Sequence, residues 1–122
     1  MVEVTIPLFS YGTLQQDEVQ LANYGRLIKG EPDALLGYEL APLLIADPRV
    51  VAVSGKSVHM IARPSGDPTA RVIGTLLHLT EAELEASDAY EDRSYERVEV
   101  RLESGLVAFV YVGAQLGERP IP

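Results

Sequence analysis

Cysteine is absent from this 122-residue chain, which excludes disulfides, thiol catalysis and thiolate metal sites without choosing a redox compartment. No apolar run approaches the roughly 20 residues that a membrane-spanning helix needs, and the N-terminus lacks the basic-then-apolar pattern of a signal peptide. A soluble, cytoplasmic protein with no membrane partner is expected. Basic residues are scarce, 10 against 18 acidic, and the formal net charge of −8 would repel a phosphate backbone. Nucleic acid is therefore not an expected partner. There is no G-x-S-x-G elbow, no phosphate-binding glycine run and no zinc spacing, so hydrolase, nucleotide and zinc readings lack a starting residue. His59 and His78 stand singly in apolar segments and are assigned no role. No repeat or low-complexity run divides the chain.

What is present is 47% hydrophobic, enough at this length to fill one core, so residues 1–122 are read as a single domain. Residues 4–11 (VTIPLFSY) are rich in β-branched and aromatic side chains. Pro7 cannot donate to a ladder, which places it at an edge or before the paired part of that strand. Tyr11-Gly12-Thr13-Leu14 follows, and QQDEVQLANYG then carries a weakly amphipathic helical signal ended by Gly25. Between Ala34 and Arg63 short apolar runs separated by proline, aspartate and glycine predict several short strands, including Val50 to Val53. Val72 to Leu79 is a strand interrupted by Gly74, and Thr80 with Glu83 forms the S/T-x-x-E box that starts a helix running to about Asp92. Val98, Val100 and Leu102 alternate with Arg97, Glu99, Arg101 and Glu103, predicting a strand with one buried face. Glu103-Ser104-Gly105 supplies a turn, LVAFVYV returns as an interior strand, and residues 113–122 form a tail behind a core of 8–112. The fold class is α+β with strands dominating.

Two segments carry chemical potential. On a helix spanning 81–92, Leu84, Ser87, Asp88 and Glu91 form one stripe, so either the two carboxylates border a polar pocket or the buried stripe runs through Ala82, Ala86 and Ala89/Tyr90. Solvated acids on an exposed face are the plain alternative, because an unpaired buried carboxylate is costly. At the other segment, Gly12 lets the backbone approach a ligand closely, and successive loop amides can cradle an oxygen anion. A tetrapeptide of this kind is also an ordinary strand end and turn. Asp88, Glu91 and Asp92 sit on one helix without the converging loop oxygens that a hard cation needs, so no metal is expected. Tyr38, Tyr90 and Tyr111 are read as core packing.

In order and spacing, LFSYGTL at 8–14, Gly37-Tyr38-Glu39-Leu40, VIGTLLHLTEAELEASDAYE at 72–91, YERVEV at 95–100 and AFVYV at 108–112 resemble the γ-glutamylcyclotransferase-like family in its small avirulence-induced-gene type. The resemblance implies a small mixed β-barrel with a few short flanking helices. It implies that Tyr11, Gly12, Thr13 and Leu14 bind a glutamyl group through backbone amides, that Glu91 is the general acid/base, and that Tyr95, followed by Arg97, stands at the pocket. The implied enzyme is a cofactor-independent cyclotransferase, of lyase or acyltransferase type, releasing 5-oxoproline and a free amine from a small γ-glutamyl-type substrate. Asp88 would then help raise the pKa of Glu91. Two positions depart from the pattern: Ser87 stands where many relatives have leucine, and Asp92 where many have glycine. The rival expectation is a non-catalytic module on the same fold that binds a small ligand or a partner. Retention of Glu91 favours the enzyme.

Overall fold

A computed structural model of the chain describes residues 5–44, 58–91 and 95–113, with the side chains of all of these except 43, 44, 58 and 59. The element order is β1 (Ile6–Ser10), a 3-10 turn (Thr13–Gln15), α1 (Asp17–Tyr24), β2 (Glu31–Leu36), β3 (Tyr38–Leu44), β4 (Val58–Pro64), β5 (Arg71–Leu79), α2 (Glu81–Tyr90), β6 (Tyr95–Arg101) and β7 (Val107–Gly113). Strands dominate, as the α+β expectation requires. Five of them form one sheet in the order β2-β5-β1-β7-β6, in which only the β1–β7 pair is parallel. The other two, β3 and β4, form a separate antiparallel pair.

Alternation along the strands sends neighbouring side chains to opposite faces of the sheet, and a core lies on each side. Leu8, Leu77, Leu79 and Tyr111 join Leu14, Val19, Leu84 and Tyr90 in one cluster, which the helices cover. Phe9, Leu76, Val110 and Val112 point the other way and meet Leu35, Ala62, Val72 and Leu102. Complete burial of Leu8 and Phe9, side by side in sequence, contributes about 1.5–3 kcal/mol each.

The closed barrel that the resemblance implies is not made among the described residues. Where β4 would pair onward, tyrosine hydroxyls take the place of a ladder. The carbonyl of Met60 and the amide of Ala62, two residues apart, face the same edge. Tyr95 donates to the Met60 carbonyl at 3.2 Å, and the Ala62 amide donates to the Tyr11 hydroxyl at 2.9 Å. That hydroxyl in turn donates to the carbonyl of Tyr111 at 2.6 Å. Side chains thus tie the two-stranded unit to the sheet, and the resulting gap in backbone pairing is where the cavity described below opens.

Local expectations are met in part. Pro7 opposes His78 in the antiparallel ladder, but the parallel ladder to β7 begins only at Leu8, so the missing donor falls outside it. Gly25 closes α1 in the left-handed region at φ 70°. Gly74 does not interrupt β5, which runs unbroken from Arg71 to Leu79. A Cβ at Gly74 would sit 2.4 Å from the Ser10 carbonyl oxygen and 2.6 Å from Cζ of Phe9, so glycine is there to let the end of the neighbouring β1 approach closely. The capping box forms in full: Glu83 donates its amide to Thr80 Oγ1 at 3.2 Å, and Thr80 donates its amide to Glu83 Oε1 at 2.9 Å. Arg26 adds a bidentate grip on Glu83 at 2.7 and 2.9 Å and holds its carboxyl below the ordinary range.

Helix α2 ends at Tyr90, not at Asp92, and Glu91 is its extended C-cap residue with ψ 139°. The face it buries carries Glu83, Leu84, Ser87 and Tyr90, while Ala82, Asp88 and Ala89 are exposed. In β6, Val98 and Val100 pack on the second cluster and the intervening charges are exposed, as the alternation predicts. Asp33 receives the Ser104 amide at 3.2 Å and its hydroxyl at 2.6 Å, fixing the turn before Gly105. The strand expected at Val50 to Val53, the residue Asp92 and the tail beyond Gly113 lie outside the described residues, and Gly113 itself ends β7. Among the described residues no helix is long and apolar enough to cross a membrane.

Candidate functional site

At the end of β1 the chain turns through Tyr11 and Gly12 into the 3-10 turn, and a cavity of about 330 Å³ opens beside it. One wall is Phe9 to Thr13 with Gln15 and Gln16, and the other is Met60, Glu91, Tyr95 and Tyr111. The volume lies at the low end of small-molecule sites, roughly 300–1,000 Å³. Five of the six sequence-predicted residues, Tyr11, Gly12, Thr13, Glu91 and Tyr95, therefore line one space although they come from opposite ends of the chain.

Leu14 is the exception. Its side chain is 2% exposed, belongs to the helix-covered core and does not line the cavity, so only its backbone can contribute. Buried Gln20 holds that part of the turn, donating to the Leu14 carbonyl at 2.9 Å and accepting the Ile28 amide at 2.9 Å. Thr13 is fixed by a 2.7 Å hydrogen bond with the Tyr90 hydroxyl. Gly12 is exposed, and a Cβ there would meet no protein atom within 4 Å. Nothing in the protein forbids a side chain at that position. The space it leaves open faces whatever occupies the cavity, and an occupant can approach the turn's backbone there.

The polar end of Tyr11 is not available to a ligand, because its hydroxyl spans Ala62 and Tyr111. Burial pushes that hydroxyl's pKa far above its ordinary value, the Ala62 hydrogen bond opposes the shift, and the nearby Glu91 carboxylate adds to it. Tyr11 is thus a neutral wall and a tie between sheets. Tyr95 likewise presents its ring while its hydroxyl holds the Met60 carbonyl.

Glu91 is half-buried at the end of α2, its amide bonded to the Ser87 carbonyl at 3.0 Å. Its charge reaches three tyrosines, raising the hydroxyl pKa of Tyr11, Tyr24 and Tyr111 on top of the dominant effect of burial. Among the described residues it is the only charged side chain that lines the cavity. Asp88, expected to be its partner carboxylate, is directed elsewhere. Arg97 grips it with two hydrogen bonds of 2.9 and 3.1 Å, and Tyr111 donates its hydroxyl to it at 2.5 Å. The Arg97 guanidinium also stacks 4.6 Å from the centre of the Phe109 ring. Asp88 therefore acts on the cavity through Tyr111, and its charge is balanced by Arg97.

Tyr111, read from sequence as core packing, is both core and cavity wall. Ser87 is legible in the sequence as a member of the Leu84 stripe and as a departure from the family pattern. It is fully buried and bonds the Tyr24 hydroxyl at 2.6 Å while donating to the Glu83 carbonyl at 3.0 Å. Its small polar side chain leaves room for Tyr24 to reach α2 just below Glu91. Among the described residues no three His, Asp or Glu side chains converge in a way that could hold a metal ion.

A profile of the family described as "Gamma-glutamyl cyclotransferase, AIG2-like" matches residues 8–122. The solution structure of At5g39720.1 from Arabidopsis thaliana is 23% identical with a TM-score of 0.67, covering 89% of this chain and 68% of that one. The solution structure of At3g28950.1 from the same organism is 22% identical, also at 0.67, covering 92% of this chain and 64% of that one, so the sequence spans less than two thirds of its length. A solved γ-glutamyl cyclotransferase shares the fold at a TM-score of 0.70 with 14% identity, covering 90% of this chain and 67% of that one. No match among the curated proteins reaches significance. With the profile spanning nearly the whole chain and the same fold in these structures, this chain belongs to the γ-glutamyl cyclotransferase, AIG2-like family.

Proposed function

We propose that the chain cyclises a γ-glutamyl amine or amide to 5-oxoproline and releases the free amine, with Glu91 as general acid/base and the Tyr11 to Leu14 turn as the glutamyl-binding element. The observation that carries this reading is the meeting of the Glu91 carboxylate with the Gly12–Thr13 backbone across one small cavity. A γ-glutamyl amide contains its own nucleophile: the α-amine attacks the side-chain carbonyl and closes a five-membered lactam. Holding the chain in the bent conformation supplies a large effective concentration, so no nucleophilic side chain is required.

The protons balance through Glu91. The α-ammonium sheds two protons as its nitrogen bonds to the carbonyl carbon, and the amine gains two as the carbonyl–nitrogen bond breaks. One carboxylate at the cavity wall can accept a proton before attack and deliver it to the leaving nitrogen. Loop amides at the start of the 3-10 turn, which lack intrahelical acceptors, would hold the substrate carboxylate or the oxyanion. Glu91 also offers the matching charge for the α-ammonium before reaction.

The test is 5-oxoproline release from a panel of γ-glutamyl amino acids and amines, comparing the wild type with Glu91→Gln. Turnover by the wild type that falls by about 10²-fold or more in the variant supports the assignment. Equal background from both proteins across the panel moves the chain to a ligand-binding role on the same fold.

A further inference from the structure

We propose that the outer edge of β6 is a docking surface for a second copy of this chain, the two strands pairing antiparallel about Val98 so that the two five-stranded sheets run on as one. β6 is an end strand of its sheet and pairs with β7 along its whole length, from Tyr95 to Arg101. Among the described residues, the backbone groups that residues 96–101 turn away from β7 bond to no other part of the chain. The opposite end of the sheet is treated differently. At β2, Pro32 has no amide to offer, the Ala34 carbonyl accepts the Glu103 amide at 2.9 Å, and Asp33 takes the amide and hydroxyl of Ser104. One edge is covered, and a seven-residue edge is left open.

An open edge that carries charge can be a guard against pairing. Here the sign alternates along one face, which reads Tyr95, Arg97, Glu99, Arg101. Antiparallel pairing about Val98 sets Arg97 opposite Glu99 of the second copy, Glu99 opposite Arg97 of the second copy, and each Tyr95 opposite an Arg101. On the other face Val98 meets itself and Val100 meets Glu96. Moving the two-fold axis to Arg97 sets that residue against itself, and moving it to Glu99 sets Arg97 against Arg101, so charge selects one register. The single chain leaves these groups available. Glu99 is exposed and has no ion pair among the described residues. Arg97 holds Asp88 through Nε and Nη2, which leaves Nη1 for Glu99 of the second copy. Val98 and Val100 are only half-buried on the second core cluster, and a sheet running on from β6 covers them further. Because Tyr95 lines the cavity, each copy also sets a basic side chain beside a wall of the other's site.

The experiment exploits the lack of native cysteine. In Val98→Cys the introduced thiols of two copies face each other at a Cα separation of about 4.5–5.5 Å, within the range a disulfide spans. Mild oxidation is expected to give a covalent dimer. Arg101→Cys, whose thiols stand on the order of 20 Å apart in this register, should stay monomeric under the same treatment. Sedimentation of the wild type should show a monomer–dimer equilibrium in the micromolar range, because one strand pair is a small interface. Glu99→Arg turns both ion pairs into repulsions and should weaken that equilibrium about tenfold at unchanged circular dichroism. A wild type that stays monomeric up to millimolar concentration overturns the inference. So does a Glu99→Arg protein that dimerises as well as the wild type, or an Arg101→Cys protein that crosslinks as readily as Val98→Cys. Assemblies larger than a dimer also overturn it, since a two-fold strand pair closes on itself.

Discussion

Tyr11 and Tyr111, a hundred residues apart, are joined by a 2.6 Å hydrogen bond from the Tyr11 hydroxyl to the Tyr111 carbonyl, and both rings line the cavity. The same hydroxyl accepts the Ala62 amide, so one oxygen atom connects β1, β4 and β7. Tyr11→Phe keeps the ring and removes the tie, leaving a part-buried amide without this acceptor at a cost of about 1–3 kcal/mol. The expected result is a lower melting temperature, by on the order of 5 °C, with reduced turnover because the wall carrying Met60 keeps only its Tyr95 tie. An unchanged melting temperature would show that packing and the Tyr95–Met60 bond hold the two sheets together without the Tyr11 tie.

A second prediction concerns the chain of contacts from Arg97 through Asp88 to Tyr111. Asp88 is exposed and sits outside the cavity, so it is a positioning residue that fixes the Tyr111 ring. Asp88→Asn should cost little stability, at most about 1 kcal/mol for an exposed ion pair. Turnover should fall about tenfold at unchanged fold, and Tyr111→Phe should reproduce much of that loss. Because the two act through one hydrogen bond, the double variant should be no worse than the weaker single one. Additive losses would contradict the arrangement.

Much of the fold is legible in local sequence, and the misses share one cause. The Thr80–Glu83 box, the Gly25 cap and the β6 alternation are short-range patterns, and each forms as read. The end of α2 is not short-range. Nothing in the residues Glu91-Asp92 stops a helix, but Tyr90 is drawn to Thr13, 77 positions earlier, and the chain leaves the helix at Glu91. In the same way the partner of Asp88 lies on β6 at Arg97, and the reason for Ser87 lies in Tyr24, 63 positions away. Gly74 reads as a break in a strand because its true constraint, the close end of the neighbouring β1, is invisible along β5 itself. The candidate site is legible through the family resemblance, which supplies the long-range juxtaposition that periodicity lacks. Gln20, Tyr90 and Tyr111 carried no separate signal.

Alkaline titration gives a third test. Tyr24 has its hydroxyl pKa pushed up to about 12, by burial first, opposed by its Ser87 bond and aided by the charges of Glu91 and Glu83. Tyr11 and Tyr111 are raised further, burial again leading and, for Tyr111, the hydrogen bond to Asp88 following. A phenol whose pKa is higher folded than unfolded contributes stability that is complete below about pH 10 and is lost as pH rises through the folded values. Three of the six tyrosines should therefore stay protonated past pH 11 by ultraviolet absorbance, until unfolding releases them together. Independent titration of all six near pH 10 in a folded protein would contradict the burial and bonding described.

Gly74→Ala is a fourth test, directed at the close approach of β1 to β5. The added methyl carbon meets the Ser10 carbonyl oxygen at 2.4 Å, a backbone atom that cannot swing aside. The end of β1 must shift, at a cost of roughly 1–3 kcal/mol. Since Ser10 leads directly into Tyr11 and Gly12, the expected outcome is a lowered melting temperature together with a raised KM. A raised KM without loss of stability would place the effect in the cavity and not in the packing of β1 against β5.

The central claim is intramolecular closure, and closure consumes no water. The most direct measurement is product analysis by mass spectrometry in water enriched in heavy oxygen, using the best-turned-over γ-glutamyl amide with wild type and Glu91→Gln. The account predicts 5-oxoproline and amine in equal amounts, no heavy oxygen in the 5-oxoproline, and near-background product from the variant. Glutamate carrying heavy oxygen would mean that water, and not the substrate's own amine, attacks the carbonyl, and would contradict the account.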